Sequence, residues 1–137
     1  MDDPQNGPVT SPADKPKKIL LVEDDDNLAN VYQTRFSAEG FEVRREADGA
    51  NARASTVAYK PDLILLDVMM PKISGFDVLD ILRNTPETSA IKIIMLTARG
   101  QDSDRAKATS LGADDYLVKS QVVIADVVSR VKKHLAE

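Results

Sequence analysis

Cysteine is absent from the 137 residues, which removes at once a disulfide framework, a thiol nucleophile and a thiolate metal site. No apolar run approaches the roughly 18 to 20 residues that span a bilayer, and the amino terminus lacks the charged-then-apolar pattern of a signal peptide. A soluble cytoplasmic protein with no membrane partner is expected. Basic charge is in the minority, 18 Lys and Arg against 22 Asp and Glu, for a formal net charge of -4. That balance argues against direct nucleic-acid binding. No glycine-rich turn follows the first apolar run, where "EDDD" stands instead, so a dinucleotide or nucleotide cradle is excluded. The single histidine, His134, falls in the last turn of the final helical pattern, where it reads as a favourable C-terminal charge and not a phosphate carrier.

What remains is enough for one domain, since a chain of this length hides roughly two thirds of the surface it would expose unfolded. Residues 1–16 contain four prolines and little apolar bulk, and read as a disordered tail. From residue 17 to 137 short apolar runs alternate with helical patterns. "KKILLV", "FEVRRE", "DLILLD", "IKIIML" and "DYLVK" read as strands, with helices over about 26–39, 48–59, 74–84, 103–111 and 121–135. In the first helix Leu28, Val31, Tyr32, Arg35 and Phe36 share a face, as do Ile124, Val127, Val128, Val131 and Leu135 in the last. Five alternations of strand and helix imply an α/β fold, a parallel sheet covered on both faces through right-handed crossovers. "ILLV", "LILL" and "IIML" are apolar throughout, as central strands are, whereas "FEVRRE" alternates like an edge.

In such a sheet the functional crevice lies beyond the carboxyl ends of the strands. At those ends stand Glu23 to Asp26 after the first strand, Asp67 after the third, Thr97 at the fourth and Lys119 at the fifth. Clustered carboxylates stay ionised together only around a cation, and an oxygen-only set that leaves room for water suits Mg2+. A phosphoryl group on Asp67 would share its charge among that ion, Lys119 and the Thr97 hydroxyl. One of Asp25 and Asp26 is expected to cap the first helix.

The residues "ILLVEDD", "PDLILLDVMMPKISGFDVL", "IIMLTA" and "LGADDYLVK" together resemble the receiver domain of bacterial two-component response regulators, over nearly the whole folded part. The resemblance implies a flavodoxin-like (βα)5 fold with strand order 2-1-3-4-5. It implies that Asp67 accepts a phosphoryl group from a sensor histidine kinase or phosphotransfer protein. It further implies that Asp24, Asp67 and the backbone carbonyl of Met69 hold Mg2+ directly, with Glu23 acting through water. Thr97 and Lys119 would contact phosphoryl oxygens, and Tyr116 would be the aromatic whose rotamer follows Thr97. Such a domain is not an enzyme beyond catalysing its own phosphorylation and dephosphorylation.

An aspartyl phosphate adds close to two negative charges at one point, so a mobile Thr97 can move towards it and vacate space for the Tyr116 ring. The surface of the fourth helix, last strand and last helix would then change for an unknown downstream partner. A monomer or a phosphorylation-dependent dimer is expected. Gly75 as a hinge and Pro71 suit a loop that aims the Met69 carbonyl at a metal. Lys119 is followed by Ser120 where the family usually has a cis proline. The bond is therefore expected to be trans with a loosened loop, or cis under strain. Met69 stands where a haloacid-type phosphatase would place its second acid, which sets that class aside. The polar tail, Met1 and the ending "KKHLAE" suggest a single-domain regulator that acts by docking; the alternatives are a receiver fragment of a longer regulator, or a docking module that is never phosphorylated.

Overall fold

Leu63 to Leu66, four consecutive apolar residues, form a strand because a segment covered on both faces can be apolar at every position. All four are buried, and full burial of a side chain of this size is worth roughly 1.5 to 3 kcal/mol. The structure, a computed structural model, describes residues 15–137. The expected tail over residues 1–16 lies outside the described residues except for Lys15 and Pro16.

In chain order the elements are β1 (Lys18–Val22), α1 (Asp26–Ala38), β2 (Glu42–Glu46), α2 (Ala52–Tyr59), β3 (Leu63–Leu66), α3 (Gly75–Arg83), β4 (Lys92–Thr97), α4 (Asp102–Leu111), β5 (Asp115–Val118) and α5 (Ile124–Leu135). Short 3-10 turns at Gly49–Asn51 and Lys119–Gln121 precede α2 and α5. The strands run parallel in the order β2-β1-β3-β4-β5, as expected. Alternate side chains of the inner strands feed two cores. One is closed by α1 and α5, the other by α2, α3 and α4.

Local chemistry sets the helix ends. The Asp25 side chain accepts the Leu28 amide at 3.0 Å to cap α1, and Ser74 accepts the Asp77 amide at 3.3 Å to cap α3. Gly112, at φ 101°, ends α4 in the left-handed region that glycine adopts without strain.

Two side chains fall elsewhere than the helical patterns imply. Val31 is 53% exposed, because the buried stripe of α1 runs through Ala29, Tyr32 and Phe36 and leaves Val31 to one side. His134 stands in the last turn of α5 as expected, but it is buried, since it continues the stripe of Val127 and Val131.

Register does the positioning. Val22 aligns with Leu66 on one side and Glu46 on the other, Leu66 with Met95, and Thr97 with Val118. The residues at the carboxyl ends of β1, β3, β4 and β5 are thereby delivered to one rim.

Candidate functional site

Glu23 and Asp67 are the first residues beyond β1 and β3, and they are only 2% and 6% exposed. Asp24 beside them is exposed. One carboxylate oxygen from each of the three lies within 4.8 Å of the others. Lys119, the first residue beyond β5, donates from Nζ to Glu23 Oε1 at 2.9 Å and to Asp67 Oδ2 at 3.3 Å. Burial pushes the Glu23 carboxyl above its ordinary range against the Lys119 bond that lowers it, with the Asp67 charge adding to the rise. For Lys119, burial opposes the charged form but the bond to Glu23 and the charge of Asp67 outweigh it, so its pKa is raised and the ammonium is held. Lys119 thus pairs with two of the three carboxylates. The donor set is all oxygen, and its excess negative charge suits a hard divalent cation.

The backbone around Asp67 is fixed from both sides. Its amide donates to the Val22 carbonyl at 3.1 Å, and its Oδ1 accepts the Met69 amide at 3.2 Å. Gly75, expected as a hinge, is instead the first residue of α3, and its amide donates to the Val68 carbonyl at 2.8 Å. A Cβ at this position would meet the Asp67 carbonyl oxygen at 2.1 Å and Val68 Cα at 2.7 Å. Close approach, not flexibility, is what glycine provides there.

Thr97 is fully buried at the end of β4, and its Oγ1 accepts the Arg99 amide at 3.2 Å. Tyr116 is buried on β5, and its hydroxyl donates to the Arg99 carbonyl at 2.6 Å. The two residues implied as a switching pair are thus joined through the backbone of a third. Burial raises the Tyr116 pKa, and the Asp104 charge adds to the effect. At the Lys119-Ser120 junction the peptide bond is trans, since the described residues contain no cis bond. Lys119 to Gln121 close into the 3-10 turn.

A family model of the response regulator receiver domain matches residues 19–132, nearly the whole described chain. The chain belongs to this family. Its receiver fold is shared with the BeF3-activated N-terminal receiver domain of RstA from Klebsiella pneumoniae, at a TM-score of 0.82 and 29% identity over 88% of this chain and 100% of that one. A receiver domain protein from Methanospirillum hungatei gives 0.82 and 26%, over 88% and 94%. The phosphate regulon transcriptional regulatory protein of Rhizobium meliloti is 42% identical over 118 residues, which are 86% of this chain and 52% of that protein. The DNA-binding dual master transcriptional regulator of a Synechocystis species is 36% identical over 84% of this chain and 47% of its own length. This receiver spans about half the length of the curated relatives it matches. Among the described residues no helix is long and apolar enough to cross a membrane.

The sequence pattern leaves two contributors to the receiver's rim unmarked. Arg45 of β2 reaches across to donate from Nε to the Glu23 carbonyl at 2.9 Å and from Nη1 to Asp26 at 2.7 Å, bracing the acidic loop. Asp104, in the first turn of α4, is buried against the Arg99 guanidinium. Alternation in "FEVRRE" marks a strand but not a side chain that crosses to the next loop. An acid in a first helical turn ordinarily reads as a dipole partner in solvent.

Proposed function

We propose that this receiver is a phosphoacceptor switch in which Asp67 takes a phosphoryl group from a sensor histidine kinase, a phosphotransfer protein or a small phosphodonor. The observation that carries the reading is a nearly buried Asp67 carboxylate paired with Lys119 at 3.3 Å inside a three-carboxylate cluster. In the transfer an Asp67 oxygen forms a bond to phosphorus while the P–N bond of a donor phosphohistidine breaks. The electron pair stays on the imidazole nitrogen, which takes a proton from solvent. Lys119, already charged and aimed at Asp67, then pairs with a phosphoryl oxygen, and the Thr97 hydroxyl supplies a further hydrogen bond. Asp24, Asp67 and the Met69 carbonyl would hold Mg2+, with Glu23 acting through water, and the ion neutralises charge on the phosphoryl oxygens when bound.

The change at Asp67 passes through Thr97 and Tyr116 to the surface formed by α4, β5 and α5, where a downstream protein docks. Coupling of this kind is worth about 1 to 3 kcal/mol, or roughly a 5- to 150-fold change in partner affinity. The receiver catalyses only its own phosphorylation and dephosphorylation, works in the cytoplasm, and is a monomer or dimerises on phosphorylation. A second reading follows from the relatives, named as transcriptional regulators, of which this chain matches about half the length. In it this receiver is the input half of such a regulator, and DNA contacts belong to the other half.

Intact mass measured with Mg2+ and acetyl phosphate tests the assignment. The wild type is expected to gain one phosphoryl group and Asp67→Asn none. No gain in the wild type would favour a docking module that works without phosphorylation, and an equal gain in the variant would move the phosphoacceptor role from Asp67 to another residue.

A further inference from the structure

Arg99 engages three neighbours through three different groups. Its amide donates to Thr97 Oγ1 at 3.2 Å, its carbonyl accepts the Tyr116 hydroxyl at 2.6 Å, and its guanidinium lies against Asp104. The last contact is two-pronged, Nε to Oδ2 at 3.1 Å and Nη2 to Oδ1 at 2.9 Å, and Asp104 is only 5% exposed. Planar, two-pronged pairing fixes orientation as well as distance. The loop it anchors, residues 98–101, is exposed and includes Gly100. The pair ties this loop, which supplies the acceptor for the Tyr116 hydroxyl, to the first turn of α4.

The residue after Asp104 holds the same tyrosine from the other side. Arg105 donates from Nη1 to the Tyr116 carbonyl at 2.8 Å, and its guanidinium carbon stands 5.1 Å from the ring centroid. The first turn of α4 thus grips Tyr116 directly through Arg105 and its hydroxyl acceptor indirectly through Asp104.

We propose that Asp104 is a positioning residue which, by clasping the Arg99 guanidinium, holds the Arg99 carbonyl as acceptor for the Tyr116 hydroxyl and so biases that ring towards its buried position before any phosphorylation. The inference deepens the switch reading and rests on it for its regulatory meaning. A Thr97 drawn towards a phosphoryl group vacates space for that ring, and the Asp104 clasp keeps the acceptor for its hydroxyl in place. The strength of one ion pair thereby sets how far the unphosphorylated receiver already displays its signalling surface.

The experiment uses the unphosphorylated chain with no phosphodonor, so its outcome is independent of whether Asp67 captures a phosphoryl group. Tyrosine ring signals are followed by NMR on selectively labelled protein, where the chain's three tyrosines give one reporter and two controls, Tyr32 and Tyr59, both buried away from the clasp. In Asp104→Asn and in Arg99→Gln the Tyr116 signal is expected to shift in the same direction, towards that of an exposed tyrosine. The double variant should go no further than the larger single one, and Tyr32 and Tyr59 should stay in place. Asp104→Glu, which keeps the charge, should recover part of the wild-type signal. An unmoved Tyr116 in both single variants overturns the proposal. So do additive shifts, or movement of all three tyrosines together, which would mean general loosening.

Discussion

Around Asp67 single atoms decide what is tolerated. The Gly75 amide is bonded to the Val68 carbonyl while its Cα faces the Asp67 carbonyl, leaving no room for a methyl group. Asp67 is thus held by the start of α3 as well as by β1. In Gly75→Ala either α3 must retreat or the Asp67 loop must shift, and overpacking of this kind costs about 1 to 3 kcal/mol. Urea unfolding should show that loss, with amide shifts centred on residues 67–69. A variant of unchanged stability and unchanged spectrum would mean that the approach of α3 to Asp67 is looser than the geometry gives. Lys119 shows the other side of residue-scale control, because one ammonium partly offsets the repulsion of Glu23 and Asp67.

Between elements, the seam of β5 and α5 is closed by charge. Asp115 Oδ2 meets Arg130 Nη1 at 2.7 Å and His134 Nε2 at 2.9 Å, while its Oδ1 accepts the Tyr116 amide at 2.9 Å. Burial alone would raise the Asp115 pKa, but the bonds from Arg130, His134 and the Tyr116 amide outweigh it, and the value is lowered. A carboxyl with a depressed folded pKa adds stability above its unfolded pKa, near 3.9 for aspartate, and loses it as pH falls through the lower folded value. Asp115→Asn is therefore expected to cost about 1.5 to 3 kcal/mol at pH 7, the usual worth of hydrogen bonds to a charged group. The gap from the wild type should shrink below about pH 4 in thermal unfolding followed against pH. A gap that persists unchanged into strong acid would show that the charge of Asp115 is not what holds the seam. This seam also explains why His134 was not legible in the sequence. Its place at a helix end suggests a charge that complements the helix terminus, and only the return of β5 beside α5 reveals Asp115 as its partner. The strands, by contrast, were legible almost to the residue, because unbroken apolar runs in an alternating α/β chain have few other uses.

For the whole molecule, parallel register gathers a site from residues nearly a hundred positions apart: Lys119 on Glu23 spans 96 residues. That gathering was readable in advance because it follows from topology, since strand ends in a doubly covered sheet share a rim. Glu23, Asp24, Asp67, Thr97 and Lys119 are all found at that rim. What was not readable is the side-chain wiring laid across it. Arg45 crossing from β2 and Asp104 reaching back from α4 depend on where loops are carried, which no spacing rule encodes. The rim and the α4, β5 and α5 surface should accordingly respond as one unit. The most direct test is amide NMR of the Mg2+-loaded chain before and after acetyl phosphate, on the same sample whose mass is followed. The expected result is shifts at Asp67, Thr97 and Lys119 that continue through Arg99 and Tyr116 into α4 and α5. Phosphorylation with shifts confined to the neighbours of Asp67, leaving Tyr116 and α4 unmoved, would contradict the switch.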